Sequence, residues 1–234
     1  MLHAVSRTAD RVRDEVQLFD GLEDEAVRHL NSRLATVTAG KGELIYSPFD
    51  PGGAVYVVES GRVRLYRSAS DGRQLTLALV DAGMLFGEVA AAGRATYDCY
   101  AEALDDCSLR MLRLSDLEVV TVRHPQVALN LLRSVCERLR RAEDQLESIA
   151  FHPVGSRLAA QLLELMERYG RVTPAGIRVD RRFTHVQLAE MIGTSRETLT
   201  KVINELRAAG AVDVRDRMLW VLDVDRLERL RDSG

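Results

Sequence analysis

Arg196, Glu197 and Lys201 place two cations and one anion close together in a segment with helical apolar spacing. A guanidinium can donate two parallel hydrogen bonds to O6 and N7 of guanine, and a carboxylate can accept one from N4 of cytosine. Helical spacing puts these charges on the face opposite the apolar residues Leu199, Val202, Ile203 and Leu206. A helix of this kind presents its first two turns to the major groove of DNA.

The elements that would position these side chains follow from the flanking sequence. A first short helix has the apolar stripe Leu188, Ala189 and Ile192. Gly193 suits a sharp turn after it, and Thr194 or Ser195 suits the N-cap of the second helix. The segment therefore predicts a helix-turn-helix, and the alternative is an ordinary helical hairpin whose charged residues are solvated.

A β-hairpin, which we call the wing, is predicted after the second helix. Residues 212–214 and 218–221 are β-prone, and the turn at 215–217 carries two arginines. Cations at such a tip bind phosphates rather than bases. We therefore expect double-stranded DNA as a partner, with backbone contacts from Thr184, Ser195, Thr198, Arg215 and Arg217.

A long helix is predicted upstream, between His124 and Phe151. Its apolar residues recur at alternating steps of four and three, the heptad signature of two helices packed along a seam. The seam residues are Ala128, Leu132, Val135, Leu139, Ala142, Leu146 and Ile149. The pattern predicts a homodimer, and the alternative is one amphipathic helix packed on its own domain.

Short β-prone runs separated by glycine turns occupy residues 36–114. The runs are 44–46, 54–58, 62–66, 74–80 and 109–112, and Asp71-Gly72 is the strongest hairpin signal. Strands at this spacing predict an all-β sandwich or roll. The sequence thus indicates an α+β protein with three parts: a β-roll domain (1–114), a short helix and dimerisation helix (115–150), and a winged helix-turn-helix domain (151–234).

The ends of other helices can also be predicted from residue types. Ser115-Asp116 should cap a short helix from Leu117 to Arg123, because both side chains accept backbone N–H bonds. Pro153 should break the long helix, because proline disfavours helix at the residue before it. Gly170 should end the amphipathic helix that follows from Val154.

Composition narrows the classes of protein that fit. The net charge is −3, but residues 151–234 carry 14 Lys/Arg against 12 Asp/Glu, so the negative balance lies in the earlier residues. The three cysteines, Cys99, Cys107 and Cys136, are widely spaced and predict reduced thiols rather than disulfides. We find no signal peptide and no apolar run of membrane-spanning length, and so expect a cytoplasmic protein with no membrane partner.

With these elements in this order, nearly the whole chain resembles the cyclic-AMP receptor/FNR (CRP/FNR) family of transcription regulators. The run Thr194-Ser195-Arg196-Glu197-Thr198, followed by Lys201, is similar to the recognition-helix signature of that family. The resemblance implies that Arg196, Glu197 and Lys201 read the bases of a TGTGA-like half-site. It also makes RNA polymerase a candidate partner. Lys201 stands where the closest family pattern has arginine, so the bidentate fork is lost there.

The resemblance also bears on a small-molecule effector. In the family's nucleotide binders, a phosphate cassette opens with Gly-Glu, matched here by Gly87-Glu88, and later supplies Arg followed by Ser or Thr. Those later positions fall on Tyr97-Asp98, and the long-helix residues expected to touch the base fall on Ala142-Glu143. A buried phosphodiester needs a cation or several donors, whereas Asp98 and Glu143 would repel it. Arg94 could substitute if the alignment shifts. We expect DNA binding without cyclic AMP, no cofactor, and an effector that the sequence does not identify.

Other functions have less support in the sequence. A metal-dependent enzyme with a cupin-like roll would need clustered His and Glu, but the five histidines all lie outside residues 36–114. P-loop, G-x-S-x-G and H-E-x-x-H motifs are absent from the sequence. Regulators that respond to a cyclic nucleotide, to haem, or to oxidants through Cys99 or Cys107 remain alternatives. The sequence therefore predicts a dimeric DNA-binding transcription regulator rather than an enzyme.

Overall fold

The structure, a computed structural model, describes residues 18–88, 90, 93 and 95–233. The described helices are α1 (Asp24–Asn31), α2 (Leu114–Arg123), α3 (Pro125–Phe151), α4 (Val154–Tyr169), α5 (His185–Met191), α6 (Arg196–Ala208) and α7 (Val224–Arg231). The described strands are β1 (Ala35–Ala39), β2 (Leu44–Tyr46), β3 (Ala54–Ser60), β4 (Val63–Ser68), β5 (Gln74–Val80), β6 (Leu85–Phe86), β7 (Tyr100–Ala103), β8 (Cys107–Arg113), β9 (Gly170–Thr173), β10 (Gly176–Val179), β11 (Val212–Arg215) and β12 (Met218–Val221). They belong to two compact units. One includes residues 18–67 and 77–141, and the other includes residues 68–76 and 142–233.

Two four-stranded sheets build the β-roll, with strand orders β1-β8-β3-β6 and β2-β7-β4-β5. Val58 of β3 and Leu65 of β4 are fully buried in one apolar core that both sheets share. The alternate residues of β3, Val55 and Val57, enter a second core with Leu117 of α2. This alternation, with a period of two residues, covers both faces of β3 and confirms the predicted roll.

The structure tests two local predictions for this part of the chain, a hairpin turn at Asp71-Gly72 and a helix cap at Ser115-Asp116. Gly72 has φ +84°, and the Ala69 N–H donates to the Arg73 carbonyl at 2.8 Å, so the Asp71-Gly72 hairpin prediction is confirmed. The predicted Ser115-Asp116 cap is wrong. Helix α2 begins at Leu114 without a side-chain cap bond, and Asp116 instead pairs with Arg33 at 2.5 Å. Because the Asp116 carboxylate binds the Arg33 guanidinium, it does not accept from the backbone N–H groups at the start of α2.

The second unit packs α4 to α7 around a sheet of order β11-β12-β10-β9. Leu158 and Leu162 of α4 and Leu199 of α6 are fully buried. Gly170 follows α4 as predicted, but in an extended conformation (φ −73°) that begins β9 rather than in a left-handed cap. A Cβ at Gly170 would lie 2.1 Å from the Met166 carbonyl oxygen, so the position requires glycine for reasons of space.

Helix α3 spans 27 residues, begins at Pro125, and ends just before the predicted His152-Pro153 break. One side of it is buried at Val127 and Asn130. All seven predicted seam residues are exposed in the single protomer, including Leu139 at 58% and Leu146 at 69%. Across the described ranges, no helix combines the length and apolar character that a membrane span needs.

Candidate nucleic-acid interface

The helix-turn-helix consists of α5, a glycine turn and α6. Thr184 caps α5: its Oγ1 accepts from the Gln187 N–H at 3.1 Å, and Gln187 Oε1 accepts from the Thr184 N–H at 2.9 Å. Gly193 in the turn has φ +62°, and a Cβ there would lie 3.1 Å from Ile149 Cδ1. Conformation and contact both disfavour a side chain, so this turn requires glycine.

Helix α6 separates a buried face from a charged face. Leu199, Ile203 and Leu206 are buried. The predicted base-reading residues Arg196, Glu197 and Lys201 are all exposed, so the structure brings them together on one surface. Bonds from its own backbone N–H and from the Ser195 hydroxyl lower the pKa of Glu197. Its carboxylate is therefore an ionised acceptor, as hydrogen bonding to cytosine N4 requires.

The predicted backbone contacts Ser195 and Thr198 lie at the N-terminus of α6. Ser195 Oγ accepts from the Thr198 N–H at 3.1 Å, which identifies Ser195 rather than Thr194 as the cap. The Ser195 and Thr198 hydroxyl oxygens lie 3.1 Å apart. Both residues are exposed, and a phosphate oxygen is a suitable acceptor for a hydroxyl.

The wing consists of β11, a two-residue turn and β12. Asp216 and Arg217 have φ +52° and +61°, the left-handed turn that matches the twist of a hairpin. Arg217 is exposed at the tip. Arg215 folds back instead, with Nε 2.8 Å from Asp213 Oδ2 and its guanidinium carbon 5.1 Å from the centre of the Trp220 ring. Arg215 therefore already has partners that it would have to share with a phosphate.

One contact of α6 was not foreseen from the sequence. His185 Nδ1 lies 2.9 Å from Thr200 Oγ1, and Thr200 Oγ1 donates to the Arg196 carbonyl oxygen at 2.8 Å. Thr200 could be assigned to the polar face by its spacing, but its partner comes from the preceding helix. The one sequence signal for this contact is that His185 directly follows Thr184, a residue type that caps helices.

In the β-roll, Gly87 and Glu88 occupy the predicted effector region. The Glu88 side chain is 3% exposed and forms an ion pair with Arg138 of α3. Burial raises the pKa of Glu88, and the charge of Arg138 opposes that rise. Glu88 Oε2 is buried and accepts no hydrogen bond from the described residues. The carboxylate that matches the nucleotide-binding pattern is therefore already paired to the long helix.

The neighbouring Tyr97 and Asp98 do not form an anion site. The Tyr97 ring stacks on Tyr46 with 3.8 Å between ring centres, and its hydroxyl donates to the Ala54 carbonyl oxygen at 2.9 Å. Asp98 pairs with Arg67 at 3.2 Å. Tyr97 and Asp98, which the resemblance aligns with the Arg and Ser of the family's nucleotide binders, are thus engaged with other residues of the roll. Of the other predicted effector residues, Arg94 lies outside the described residues and Glu143 is exposed on α3.

Two of the three cysteines, Cys99 and Cys107, lack the features of reactive thiols. Cys99 and Cys107 are 3% and 5% exposed. Burial raises the pKa of Cys99 to about 12 and also raises that of Cys107. The thiolate is the reactive form of cysteine, so neither residue is suited to sense oxidants. Within the part of the chain that the structure describes, no group of three or more His, Cys, Asp or Glu could hold a metal ion.

A winged helix-turn-helix that follows a β-roll and a long helix defines a class of DNA-binding regulators. Two family models match the chain: a cyclic nucleotide-binding domain at residues 36–124 and a Crp-like helix-turn-helix domain at residues 156–230. The chain belongs to the CRP/FNR family of transcription regulators. Its members are regulators rather than enzymes, so the cupin-like enzyme alternative is excluded.

Individual relatives agree with this assignment. The chain is 33% identical to the cyclic AMP receptor protein of Thermus thermophilus, over 91% of this chain and 95% of that protein. It is 34% identical to the transcriptional regulator SdrP of the same organism, over 85% and 95% of the two chains. A solved CRP/FNR-family regulator from Thermus thermophilus has a TM-score of 0.70 at 31% identity, covering 85% of this chain and 98% of that one.

Proposed function

We propose that this regulator is a homodimer that binds a two-fold pseudo-palindrome of TGTGA-like half-sites and needs no cyclic AMP to do so. The observation that carries the proposal is the exposed face of α6, where Arg196, Glu197 and Lys201 lie together on a capped and well-packed helix. Arg196 would bind a guanine and Glu197 a cytosine. Lys201 would add a single-point contact, because it lacks the arginine fork.

The exposed apolar face of α3 supports the dimer. Leu132, Leu139 and Leu146 are 58%, 58% and 69% exposed and lie along one side of the helix. A contiguous apolar stripe at heptad spacing is stabilised when a second helix covers it. Two-fold symmetry in the protein would require matching symmetry in the operator, with half-site centres about 34 Å apart.

Independence from cyclic AMP is supported by the chemistry of the roll. One relative of this chain, from Thermus thermophilus, is named a cyclic AMP receptor protein. Gly87-Glu88 also matches the opening of the family's phosphate cassette. However, Glu88 is paired with Arg138, and Tyr97 and Asp98 replace the expected anion ligands. Burying a phosphodiester beside a carboxylate without a matching cation is unfavourable. RNA polymerase stays a predicted partner.

Binding-site selection tests the proposed reading of DNA. The wild type should return a pseudo-palindrome, Arg196→Ala should lose discrimination at one guanine, and Glu197→Ala should lose it at one cytosine. Each loss should be about 1–3 kcal/mol per half-site. Arg207→Ala is the control. Arg207 also lies on α6, but it is in the last turn of the helix and is ion-paired with Asp213. An unchanged motif for Arg196→Ala would show that α6 is not the reader.

Titration calorimetry tests the second part of the proposal. Cyclic AMP should bind, if at all, more weakly than micromolar, which corresponds to less than about 8 kcal/mol of binding free energy. Adding it should leave the DNA affinity unchanged. A micromolar or tighter dissociation constant, or DNA binding only when the nucleotide is present, would overturn this part without affecting the dimer or α6.

A further inference from the structure

The contact between His185 and Thr200 joins the two helices of the helix-turn-helix at the exposed face of α6. His185 is the first residue of α5 and directly follows the Thr184 cap. Thr200 lies one helical turn after Arg196 and next to Lys201, so it shares their face. Both His185 and Thr200 are partly buried. The imidazole is therefore fixed beside the predicted base-reading residues and remains accessible from outside.

The hydrogen bonds of this contact assign the protons of the imidazole. Thr200 Oγ1 uses its only proton to donate to the Arg196 carbonyl oxygen at 2.8 Å, so it must accept from His185. Nδ1 of His185 consequently carries a proton in both charge states, and Nε2 is the atom that gains or loses one. Protonation keeps the bond to Thr200, adds a positive charge, and converts Nε2 from an acceptor into a donor.

An approaching phosphate would favour the protonated imidazole. Charged residues on and beside the two helices include the cations Arg181 and Arg182 before α5 and Arg196 and Lys201 on α6, and the carboxylates Glu190 on α5 and Glu197 on α6. Phosphates line the groove that α6 would enter, so an imidazole at the edge of this face would meet one.

We propose that His185 binds a DNA phosphate through Nε2 and takes up a proton as it does so, which makes DNA affinity rise as pH falls. The inference rests on the proposed function, because it requires α6 to enter the groove. Thr200 acts as the positioning residue, since its hydroxyl accepts from Nδ1 and leaves Nε2 for the phosphate. This contact would be independent of sequence, unlike those of Arg196 and Glu197.

The size of the effect follows from one proton per half-site. Two protons per dimer allow a change in affinity of at most about 100-fold per pH unit in the range where the imidazole titrates. Each additional charged contact steepens the dependence of log affinity on log salt by about 0.9, so the slope of a dimer should be steeper by up to about 1.8 in acid. The paired changes in pH and salt dependence distinguish a phosphate contact from an acid-induced change of fold.

Fluorescence anisotropy with the selected duplex, at about pH 6 and about pH 8 and at several salt concentrations, tests the proposal. His185→Gln can still donate to Thr200 but cannot titrate, and His185→Arg is always charged. The wild type should lose at least about tenfold in affinity from pH 6 to pH 8, beyond any loss in the Gln variant. The Arg variant should keep high affinity and a steep salt slope at both pH values. Thr200→Val should reduce the pH effect, because the imidazole loses its acceptor.

The possible results separate the two proposals. Equal pH dependence and equal salt slopes in wild type and His185→Gln would overturn the role of His185 while leaving DNA binding intact. Absence of specific binding by the wild type at either pH would instead refute the proposed function. Circular dichroism of each variant at both pH values verifies that the fold is retained, so that a change in affinity can be assigned to the contact.

Discussion

Truncation of Leu139, at the centre of the predicted seam, should weaken the proposed dimer. Its side chain is 58% exposed in the protomer. Complete burial of a leucine stabilises by about 1.5–3 kcal/mol, so covering the exposed part would contribute about 0.9–1.7 kcal/mol per protomer. The two copies in a dimer would contribute about 2–3.5 kcal/mol, or about 30- to 400-fold in the dimer dissociation constant.

Sedimentation equilibrium of Leu139→Ala measures this effect directly. Leu129→Ala is a matched control on the same helix: Leu129 is 47% exposed but lies roughly 100° around the helix from the seam. The control should leave the dissociation constant within about threefold of wild type, because its side chain lies away from the partner helix. A Leu139→Ala dimer as tight as wild type, or an equal loss in both variants, would refute the seam.

Three further predictions concern the wing and the roll. Arg217→Ala should weaken binding to all duplexes alike and reduce the salt slope by about 0.9 per half-site, whereas Arg215→Ala, whose guanidinium is already ion-paired, should reduce it less in the same anisotropy titration. Arg138→Met should destabilise the roll in urea unfolding by about 3–5 kcal/mol, because Glu88 loses its buried partner, and adding Glu88→Gln should restore most of the loss. Burial lowers the pKa of His29 below its ordinary 6.5, so the unfolded chain binds more protons and stability should fall as pH falls through 6.5. Urea unfolding at several pH values should show a smaller fall for His29→Gln, and an equal fall would contradict the prediction.

Patterns that repeat along the chain were predictable from the sequence. The heptad spacing of α3 requires only local periodicity, and each of its seven seam positions is exposed in the protomer. The two short helices, the Gly193 turn and the wing were also predicted, because glycine, capping hydroxyls and β-branched runs act over a few residues. The assignment of roles to Arg196, Glu197 and Lys201 remains a prediction.

Contacts between elements distant in sequence could not be predicted. The Glu88–Arg138 ion pair and the His185–Thr200 bond each depend on how two separate elements pack. Sequence reasoning also missed β1, β6, β7, β9 and β10, which have only two to five residues. Such strands exist because neighbouring strands pair with them, and their own propensity is weak.

Native mass spectrometry of the purified protein with a duplex that contains both half-sites tests whether a homodimer binds DNA without cyclic AMP. A complex of two protomers and one duplex is expected, which forms without added nucleotide and carries no retained small molecule. Its formation should be greatly reduced for Arg196→Ala with the same duplex. A complex with a single protomer, or one that forms only when cyclic AMP is added, would contradict the proposed function.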